Sequence, residues 1–298
     1  MERPYILHML SPLKHVSPFD VNMAVDAGVD TVVPYTNVEA RDVQGLVQDA
    51  IFSRGPKGVK RTGIFIGGKN AGEALDMLES ARAAMFPPFQ ISVFADPAGS
   101  FTTAAAMVAC VEAKMTGQFG LDWKGRKVVV FGATGVVGYS AGVIAGLEGA
   151  EVVLVGYDGE ARVKAASEDA KARFEVELGY ADGSSEDLKA ALVADAEVLL
   201  CAGRAGTQVV SAEQVAGAAA LKVAADVNAV PPSGVEGIGV QDDGAPLGDK
   251  GALGIGALAV GNVKYNVESG LFKRMIESDE PLALDFRDAF ALARGLVG

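Results

Sequence analysis

The stretch VVVFGATGVVGYSAGVIAGLEGAEVVLVGYD, residues 128–158, decides the fold. An apolar run that ends at Phe131 predicts a strand, and the glycines at 132, 135 and 138 predict a tight turn. The run of small residues after the turn predicts a helix that packs closely on a sheet. Such a turn presents backbone amides and a helix N-terminus to a pyrophosphate. The stretch therefore predicts a dinucleotide-binding unit, with glycines that serve only strand and helix packing as the alternative.

The residues after the turn bear on the choice of nucleotide. The spacing departs from GxGxxG, because Ala133 stands where the first glycine of that pattern belongs. A second apolar strand, EVVLVG, places Asp158 about 20 residues beyond the last glycine, where a carboxylate binds a ribose diol. A site dedicated to a 2′-phosphate is expected to carry an arginine directly after this strand, whereas Arg162 lies one helical turn further on. The pattern favours NAD and allows NADP.

Composition limits the class of protein. The chain has 298 residues and 50% hydrophobic content, which predicts two domains with sizeable cores. A net charge of −12 argues against broad contact with nucleic acid or an anionic membrane. No segment resembles a signal peptide or a membrane span, and Cys110 and Cys201 lie far apart in apolar runs, which predicts buried free thiols. We therefore expect a cytoplasmic protein.

Short apolar runs alternate with amphipathic segments along the chain, a pattern typical of an α/β fold with parallel sheets. A glycine-rich and charged stretch after Met115 predicts the domain junction. We expect residues 1–115, with the helices of 264–298 folded back, to form one α/β domain, and residues 116–263 to form a Rossmann-like domain. The active site is expected between them. The predicted strands are 5–10, 31–35, 62–68, 89–96, 128–132, 151–156, 174–178, 197–203 and 222–229, and the predicted helices include 18–27, 39–52, 71–86 and 102–115.

Other segments carry candidate binding groups. The loop 231–256 is unusually long for structureless chain, and long loops in enzymes are commonly functional. Hydroxyl residues open the helix after Asp96, where they cap the helix or bind a polar ligand. Lys69 lies at the tip of the turn IGGKN, with an ordinary surface lysine as the alternative. His8 and His15 lack partners at motif spacing and are interpreted as structural. We find no sequence pattern for a metal site, a GxSxG elbow or a P-loop.

Five segments together resemble one family. They are SPFDVN (17–22), DPAGSFTTAAA (96–106), FGATGVVG (131–138), ADVNAVPPSGVEGIG (225–239) and GALGIGAL (251–258). The chain is similar, over nearly its whole length, to the methylene-tetrahydromethanopterin dehydrogenases of methylotrophic bacteria, and to their NAD(P)-dependent type in particular. The resemblance implies oxidation of methylene-tetrahydromethanopterin to the methenyl form, with hydride passed to NAD or NADP, in formaldehyde oxidation. Strictly NADP-dependent relatives carry a basic residue where this chain has Tyr157 and Asp158, which again favours NAD.

The chemistry that the resemblance implies needs no general base. Loss of hydride leaves a cation that the two pterin nitrogens stabilise by resonance, so the protein has to align the reactants and exclude water. The pterin ring and its anionic tail still need polar contacts, and Asp20 is the preferred carboxylate for the ring. The substrate-binding candidates are Lys14, Asp20, Lys69, Asp96, Ser100, Thr102, Thr103 and Lys264. The cofactor-binding candidates are Gly132, Thr134, Gly135, Val137, Gly138, Tyr157, Asp158, Arg162, Ala202, Gly203 and Asn228.

Two alternatives stay open at this point. One is another enzyme of the dinucleotide fold, such as a methylene-tetrahydrofolate dehydrogenase or a ketone reductase. The other is a non-catalytic NAD(H)-sensing module. We also expect the protein to form a homo-oligomer.

Overall fold

The computed structural model describes residues 3–297 and divides the chain into two compact units. The first contains the residues up to Thr102 together with Tyr265–Leu292, and the second contains Thr103–Lys264 with the residues from Ala293 on. The sequence places the junction after Met115, whereas this division falls at Thr102. The helix in which it lies runs unbroken, so local composition carries no mark of the change.

The helices and strands follow one another in an α/β order. They are β1 (Ile6–Leu10), α1 (Pro18–Asp26), β2 (Thr31–Tyr35), α2 (Ala40–Phe52), α3 (Gly55–Val59), β3 (Thr62–Ile66), α4 (Ala71–Ala83), β4 (Ser92–Ala95), α5 (Ser100–Lys114), β5 (Lys127–Phe131), α6 (Val136–Leu147), β6 (Glu151–Gly156), α7 (Ala161–Phe174), β7 (Gly179–Asp182), α8 (Glu186–Ala194), β8 (Val198–Cys201), α9 (Ala212–Gly217), β9 (Val223–Asp226), β10 (Asp243–Leu247), β11 (Ala252–Ile255), α10 (Ala257–Glu277), β12 (Ala283–Leu284) and α11 (Phe286–Val297).

The sheet of the first unit has the strand order β12-β4-β3-β1-β2. All its neighbouring strands pair in parallel. Strands β3 and β4 are buried along their whole length, as expected where helices cover both faces of a parallel sheet. Three buried rings, those of Phe65, Phe94 and Phe272, pack with centroids 5.3–5.4 Å apart and fill this core. The strand order reverses direction between β1 and β3.

The sheet of the second unit has the strand order β10-β11-β9-β8-β5-β6-β7. Its strands pair in parallel except for the antiparallel edge pair β10 and β11. From β5 the chain proceeds outward through β6 and β7, and then continues on the other side with β8 and β9. This is the doubly wound Rossmann order, and its topological switch point lies between β5 and β8.

Helix α6 packs closely on this second sheet because its buried face is made of small residues. A Cβ at Gly142 would come within 2.8 Å of Leu154 Cδ2, and one at Gly146 within 2.7 Å of Leu178 Cδ2. Both distances are shorter than carbon atoms tolerate. The small-residue run that predicted this helix therefore sets its distance from the sheet.

The α/β fold class and most of the helices and strands predicted from the sequence are confirmed. Two predictions are wrong. The strand predicted at 174–178 lies instead at Gly179–Asp182, because α7 continues to Phe174 and ends at Glu175, whose φ is +58°. The loop predicted at 231–256 contains the hairpin of β10 and β11, which turns between Gly248 and Gly251, both at positive φ.

The geometry of the turn after β5 predicts that alanine substitutions at Gly132 and Gly135 differ sharply in the stability that they cost. Gly132 has a φ of +73°, and a Cβ there would overlap the carbonyl of Ala202. Gly135 has a φ of −86°, and its Cβ would meet one atom, the Gly132 oxygen, at 3.3 Å. We expect Gly132→Ala to lower the free energy of unfolding by about 2–4 kcal/mol, and Gly135→Ala by less than about 1 kcal/mol. Denaturant titration of both variants measures the difference, and equal losses would contradict the predicted turn geometry.

Candidate functional site

The turn between β5 and α6 brings backbone to the switch point of the second sheet. A Cβ at Gly132 would overlap the backbone of Ala202 and Gly203, which follow β8. A Cβ at Gly138 would lie 2.5 Å from the Gly132 oxygen. Glycine at these two positions therefore lets three stretches of backbone touch. Of the predicted cofactor residues, Gly132, Gly138, Ala202 and Gly203 are brought together here.

The first turn of α6 has no side-chain cap. Gly135 occupies the N-cap, where its amide donates to the Gly132 oxygen at 3.0 Å. The amides of a first helical turn have no acceptor within the helix, and they attract an anion. Thr134 and Val137 are half-buried on either side of Gly135, which is exposed. A nucleotide pyrophosphate suits these amides, and Gly135, the N-cap, places no side chain in front of them.

The loop after β6 and the first turn of α7 bring three predicted residues into one cluster. Gly156 and Gly159 close the loop tightly, since a Cβ at Gly156 would overlap the Gly159 oxygen. Arg162 donates from Nη1 to the Tyr157 hydroxyl at 3.2 Å and to Asp158 Oδ2 at 3.4 Å. Its guanidinium carbon lies 5.7 Å from the centre of the Tyr157 ring. Hydrogen bonds to Asp158 and then to Tyr157 raise the pKa of Arg162.

Asp226, at the end of β9, is a buried carboxylate that the sequence analysis missed. It accepts from the amides of Asn228 at 3.0 Å, Gly234 at 2.6 Å and Val235 at 3.2 Å. Burial raises its pKa, and these amides oppose the shift. Asp226 therefore fixes the loop that follows β9. The signal available in the sequence was a carboxylate directly after an apolar strand and before PPSG.

The side chain of Asn228, a predicted cofactor residue, forms hydrogen bonds within the same loop. Its Nδ2 donates to the Pro232 oxygen at 2.9 Å, and its Oδ1 accepts from Val230 at 2.9 Å and from Gly206 at 3.2 Å. The side chain is 5% exposed. It joins the loop after β8 to the loop after β9, so cofactor contact through this side chain stays a prediction while its structural role is visible.

Lys14 and Lys69 flank the switch point of the first sheet. Gly67, after β3, donates to the Leu10 oxygen at 2.9 Å, and a Cβ at Gly68 would lie 3.3 Å from Pro12 Cγ. The loops after β1 and β3 therefore lie side by side at the carboxyl edge of the sheet. Both lysines are exposed. Ligands of open α/β sheets bind at such a point, outside the carboxyl ends of the strands.

Asp96 and Thr102 form a buried cap at the start of α5. Asp96 Oδ1 accepts from the amides of Phe101 at 2.8 Å and Thr102 at 3.3 Å, and Oδ2 accepts from the Thr102 hydroxyl at 2.6 Å. Both residues are 0% exposed. The structure thus favours the capping alternative for these two residues. The remaining hydroxyls of the segment, those of Ser100 and Thr103, are half-buried.

Asp20 and Lys264 lie in helices rather than loops. Asp20 is 4% exposed in the first turn of α1, and its amide donates to the N-cap hydroxyl of Ser17 at 3.4 Å. Lys264 is half-buried in α10, in the part of that helix that belongs to the second unit. Sequence reasoning also passed over Glu268 of α10, a fully buried carboxylate in the first unit.

Burial shifts the pKa of one histidine and of both cysteines towards the uncharged form. Burial first, and then the charge of Arg54, lowers the pKa of His8, whose Nδ1 lies 3.1 Å from the Tyr35 hydroxyl. Burial raises the thiol pKa of Cys110 to about 11 and that of Cys201 to about 12. Both cysteines are free and buried, which confirms that prediction.

Across residues 3–297, no three His, Cys, Asp or Glu side chains gather in an arrangement that suits a metal ion. In the same range, none of the helices is long and apolar enough to span a membrane.

The parallel sheet order and the glycine turn define a Rossmann-like nucleotide-binding protein. A family model described as methylene-tetrahydromethanopterin dehydrogenase, N-terminal, matches residues 18–98. The NAD(P)-dependent methylenetetrahydromethanopterin dehydrogenase of Methylorubrum extorquens is 55% identical over 98% of this chain and 99% of its own. The chain belongs to this methylene-tetrahydromethanopterin dehydrogenase family, which confirms the resemblance found in its sequence.

Two more distant likenesses are informative. The bifunctional protein MdtA of the same organism is 34% identical over 94% of this chain and 95% of its own. The crystal structure of shikimate 5-dehydrogenase from Listeria monocytogenes, in complex with shikimate and NAD, matches with a TM-score of 0.54 at 14% identity. That match covers 99% of this chain and 96% of the other, and it shows the fold alone.

The exposed position of Gly135 allows a test of the nucleotide cradle. We expect Gly135→Val to fold, because its φ suits any residue, at a cost of about 1 kcal/mol in unfolding free energy. The added side chain would stand between the first turn of α6 and a pyrophosphate. Binding of NADH, followed by its fluorescence, is expected to weaken at least about a hundredfold. Wild-type affinity in a folded variant would place the nucleotide elsewhere.

Proposed function

We propose that this chain oxidises methylene-tetrahydromethanopterin to the methenyl form and passes the hydride to NAD or NADP. The observation that carries the proposal is the 55% identity, over 98% of this chain, to the relative of that name. The glycine cradle after β5 supports it independently, because a nucleotide-dependent dehydrogenase needs such a site. Location in the cytoplasm and assembly into a homo-oligomer stay predictions from the sequence.

The second unit would hold the nucleotide. The turn formed by Gly132, Gly135 and Gly138 would present its amides to the pyrophosphate, and Asp158 would accept hydrogen bonds from the adenosine ribose. When bound, the oxidised nicotinamide supplies the hydride acceptor. The chain itself would align the methylene carbon with the nicotinamide. In a reaction that moves no proton, this alignment lowers the barrier more than an acid or a base would.

The first unit would hold the pterin. Its switch point lies between the loops that carry Lys14 and Lys69, and two cations here stand out in a chain of net charge −12. The anionic tail of the carrier would bind beside them. Asp20, buried in α1, is the proposed partner of the pterin ring. The cap formed by Asp96 and Thr102 would position the Ser100 and Thr103 hydroxyls rather than contact the substrate.

The uncharged state of one histidine and two cysteines agrees with this chemistry. A His8 of lowered pKa and two thiols of raised pKa are uncharged near neutral pH. Hydride loss creates a cation on the substrate that the pterin nitrogens stabilise, so the site needs neither a base nor a nucleophile.

The deciding experiment supplies methylene-tetrahydromethanopterin with NAD or NADP and follows the absorbance of reduced nicotinamide. Methylene-tetrahydrofolate serves as the alternative substrate, and Gly135→Val serves as the enzyme lacking its cradle. Reduction with the methanopterin carrier, lost in the variant, is expected. A faster reaction with the folate carrier would favour the folate enzyme, and binding of NADH without any reduction would favour a sensing module.

The two switch-point lysines predict a change in KM. Lys14→Ala and Lys69→Ala are each expected to raise the KM for the pterin about threefold to tenfold, with kcat changed less than about twofold, because the tail is bound equally before and during hydride transfer. Lys57→Ala is the matched control, since Lys57 is an exposed lysine of α3, which precedes β3 and so lies towards its amino end. An unchanged pterin KM in both lysine variants would remove the tail from this edge of the sheet.

The absence of proton transfer predicts a flat pH profile. The rate of the hydride step in a single turnover is expected to vary less than about threefold between about pH 5 and pH 8, where histidine side chains titrate. His8→Gln and His15→Gln are both expected to retain turnover. A bell-shaped profile that disappears in one of these variants would show that a histidine transfers a proton.

A further inference from the structure

The cluster in the loop after β6 combines opposite charges at one point. Arg162, from the first turn of α7, reaches back to Asp158 at 3.4 Å and to the Tyr157 hydroxyl at 3.2 Å. The side chains of Arg162 and Asp158 are 52% and 40% exposed. Tyr157 is more exposed still, at 69%. A polar ligand can therefore reach all three groups from solvent.

The position of this loop in the sheet indicates which part of a nucleotide the cluster would contact. Strand β6 pairs in parallel with β5, whose end carries the glycine cradle. In a doubly wound sheet the adenosine ribose lies over the loop that follows this second strand. NAD and NADP differ at one group of that ribose, a 2′-hydroxyl in the first and a 2′-phosphate in the second. A carboxylate suits the hydroxyl, whereas a guanidinium suits the phosphate.

The pair between Asp158 and Arg162 is easily broken. Its atoms lie near the upper limit of hydrogen-bond length, both side chains are open to solvent, and exposed ion pairs of this kind contribute little to stability. An arginine gains more from a phosphate, which it binds through charge-assisted and commonly bidentate hydrogen bonds. Tyr157 lies beside the guanidinium in the same cluster.

We propose that Arg162 exchanges partners with the nucleotide, and that this exchange sets the dual cofactor use. With NAD the guanidinium stays paired with Asp158, whose second oxygen accepts from the ribose diol. With NADP the guanidinium leaves Asp158 and binds the 2′-phosphate. It then neutralises the negative charge of the phosphate, which Asp158 would otherwise repel. The inference rests on the proposed function, because it concerns the nucleotide of the same site.

The test measures binding of two fragments by calorimetry, namely 5′-AMP and adenosine 2′,5′-bisphosphate. The proteins are the wild type, Arg162→Ala, Asp158→Asn, the double variant, and Lys171→Ala as a control. Lys171 is an exposed cation on the same helix that pairs with Glu177 near the far end, so its loss removes one charge from α7 outside the cluster.

Arg162→Ala is expected to weaken the bisphosphate about tenfold more than it changes 5′-AMP. In the Asp158→Asn background the same substitution is expected to cost a further twofold to fivefold, roughly, because there no ion pair has to be broken first. The kcat/KM ratio of NADP to NAD is expected to fall about tenfold in Arg162→Ala, and to stay at the wild-type value in Lys171→Ala.

Three outcomes overturn the exchange. Unchanged bisphosphate affinity in Arg162→Ala means that another group binds the phosphate. An equal loss in both backgrounds means that Arg162 keeps Asp158 while the phosphate is bound. An equal loss in Lys171→Ala means that overall charge alone governs the preference. Failure of the proposed function is distinct, because it would appear as no reduction of NAD or NADP with methylene-tetrahydromethanopterin, whereas the fragment affinities report on Arg162 and Asp158.

Discussion

The second unit depends on one backbone contact, that of the turn at Gly132 with the carbonyl of Ala202. It exists because glycine tolerates a φ of +73° and has no Cβ to separate the two chains. The contact joins the ends of β5 and β8, the two strands between which the sheet changes direction. It also sets where α6 begins, and therefore where that helix presents its uncapped amides. The cradle for a nucleotide thus follows from the packing of backbone on backbone rather than from any polar side chain.

Both units fix a loop at the carboxyl edge of a sheet with a buried carboxylate. Asp96 follows β4 and holds the start of α5, while Asp226 ends β9 and holds the loop through Val235. A carboxylate without these donors would be costly to bury, and loop amides without it would lose their acceptor. The buried carboxylate and the loop amides therefore satisfy each other's hydrogen-bonding groups. Each carboxylate thereby fixes the chain that leaves the carboxyl end of its strand.

Sequence patterns predicted those features that depend on local composition. Apolar runs marked the strands, and glycine spacing marked the turn and the place of Asp158. The pattern failed at Phe174, where alternating apolar and acidic residues imitate a strand at the end of a helix. It also missed the hairpin within the long loop, whose first strand, DGAPL, is fully buried only at its last residue and so lacks an apolar run. The partners of Asn228 were beyond prediction, because they come from a second loop that tertiary folding brings near.

The turn that Gly156 and Gly159 close also bears on how the cofactor preference of this family can evolve. Gly156 and Gly159 permit its backbone path, because a Cβ at Gly156 would overlap the Gly159 oxygen and Gly159 has a φ of +104°. Tyr157 and Asp158 are exposed there, and exchanging them disturbs no core. With the roles proposed for Asp158 and Arg162, selection can alter the choice between two cellular pools of reducing power through single codons at this loop, while the architecture that performs the reaction is inherited intact.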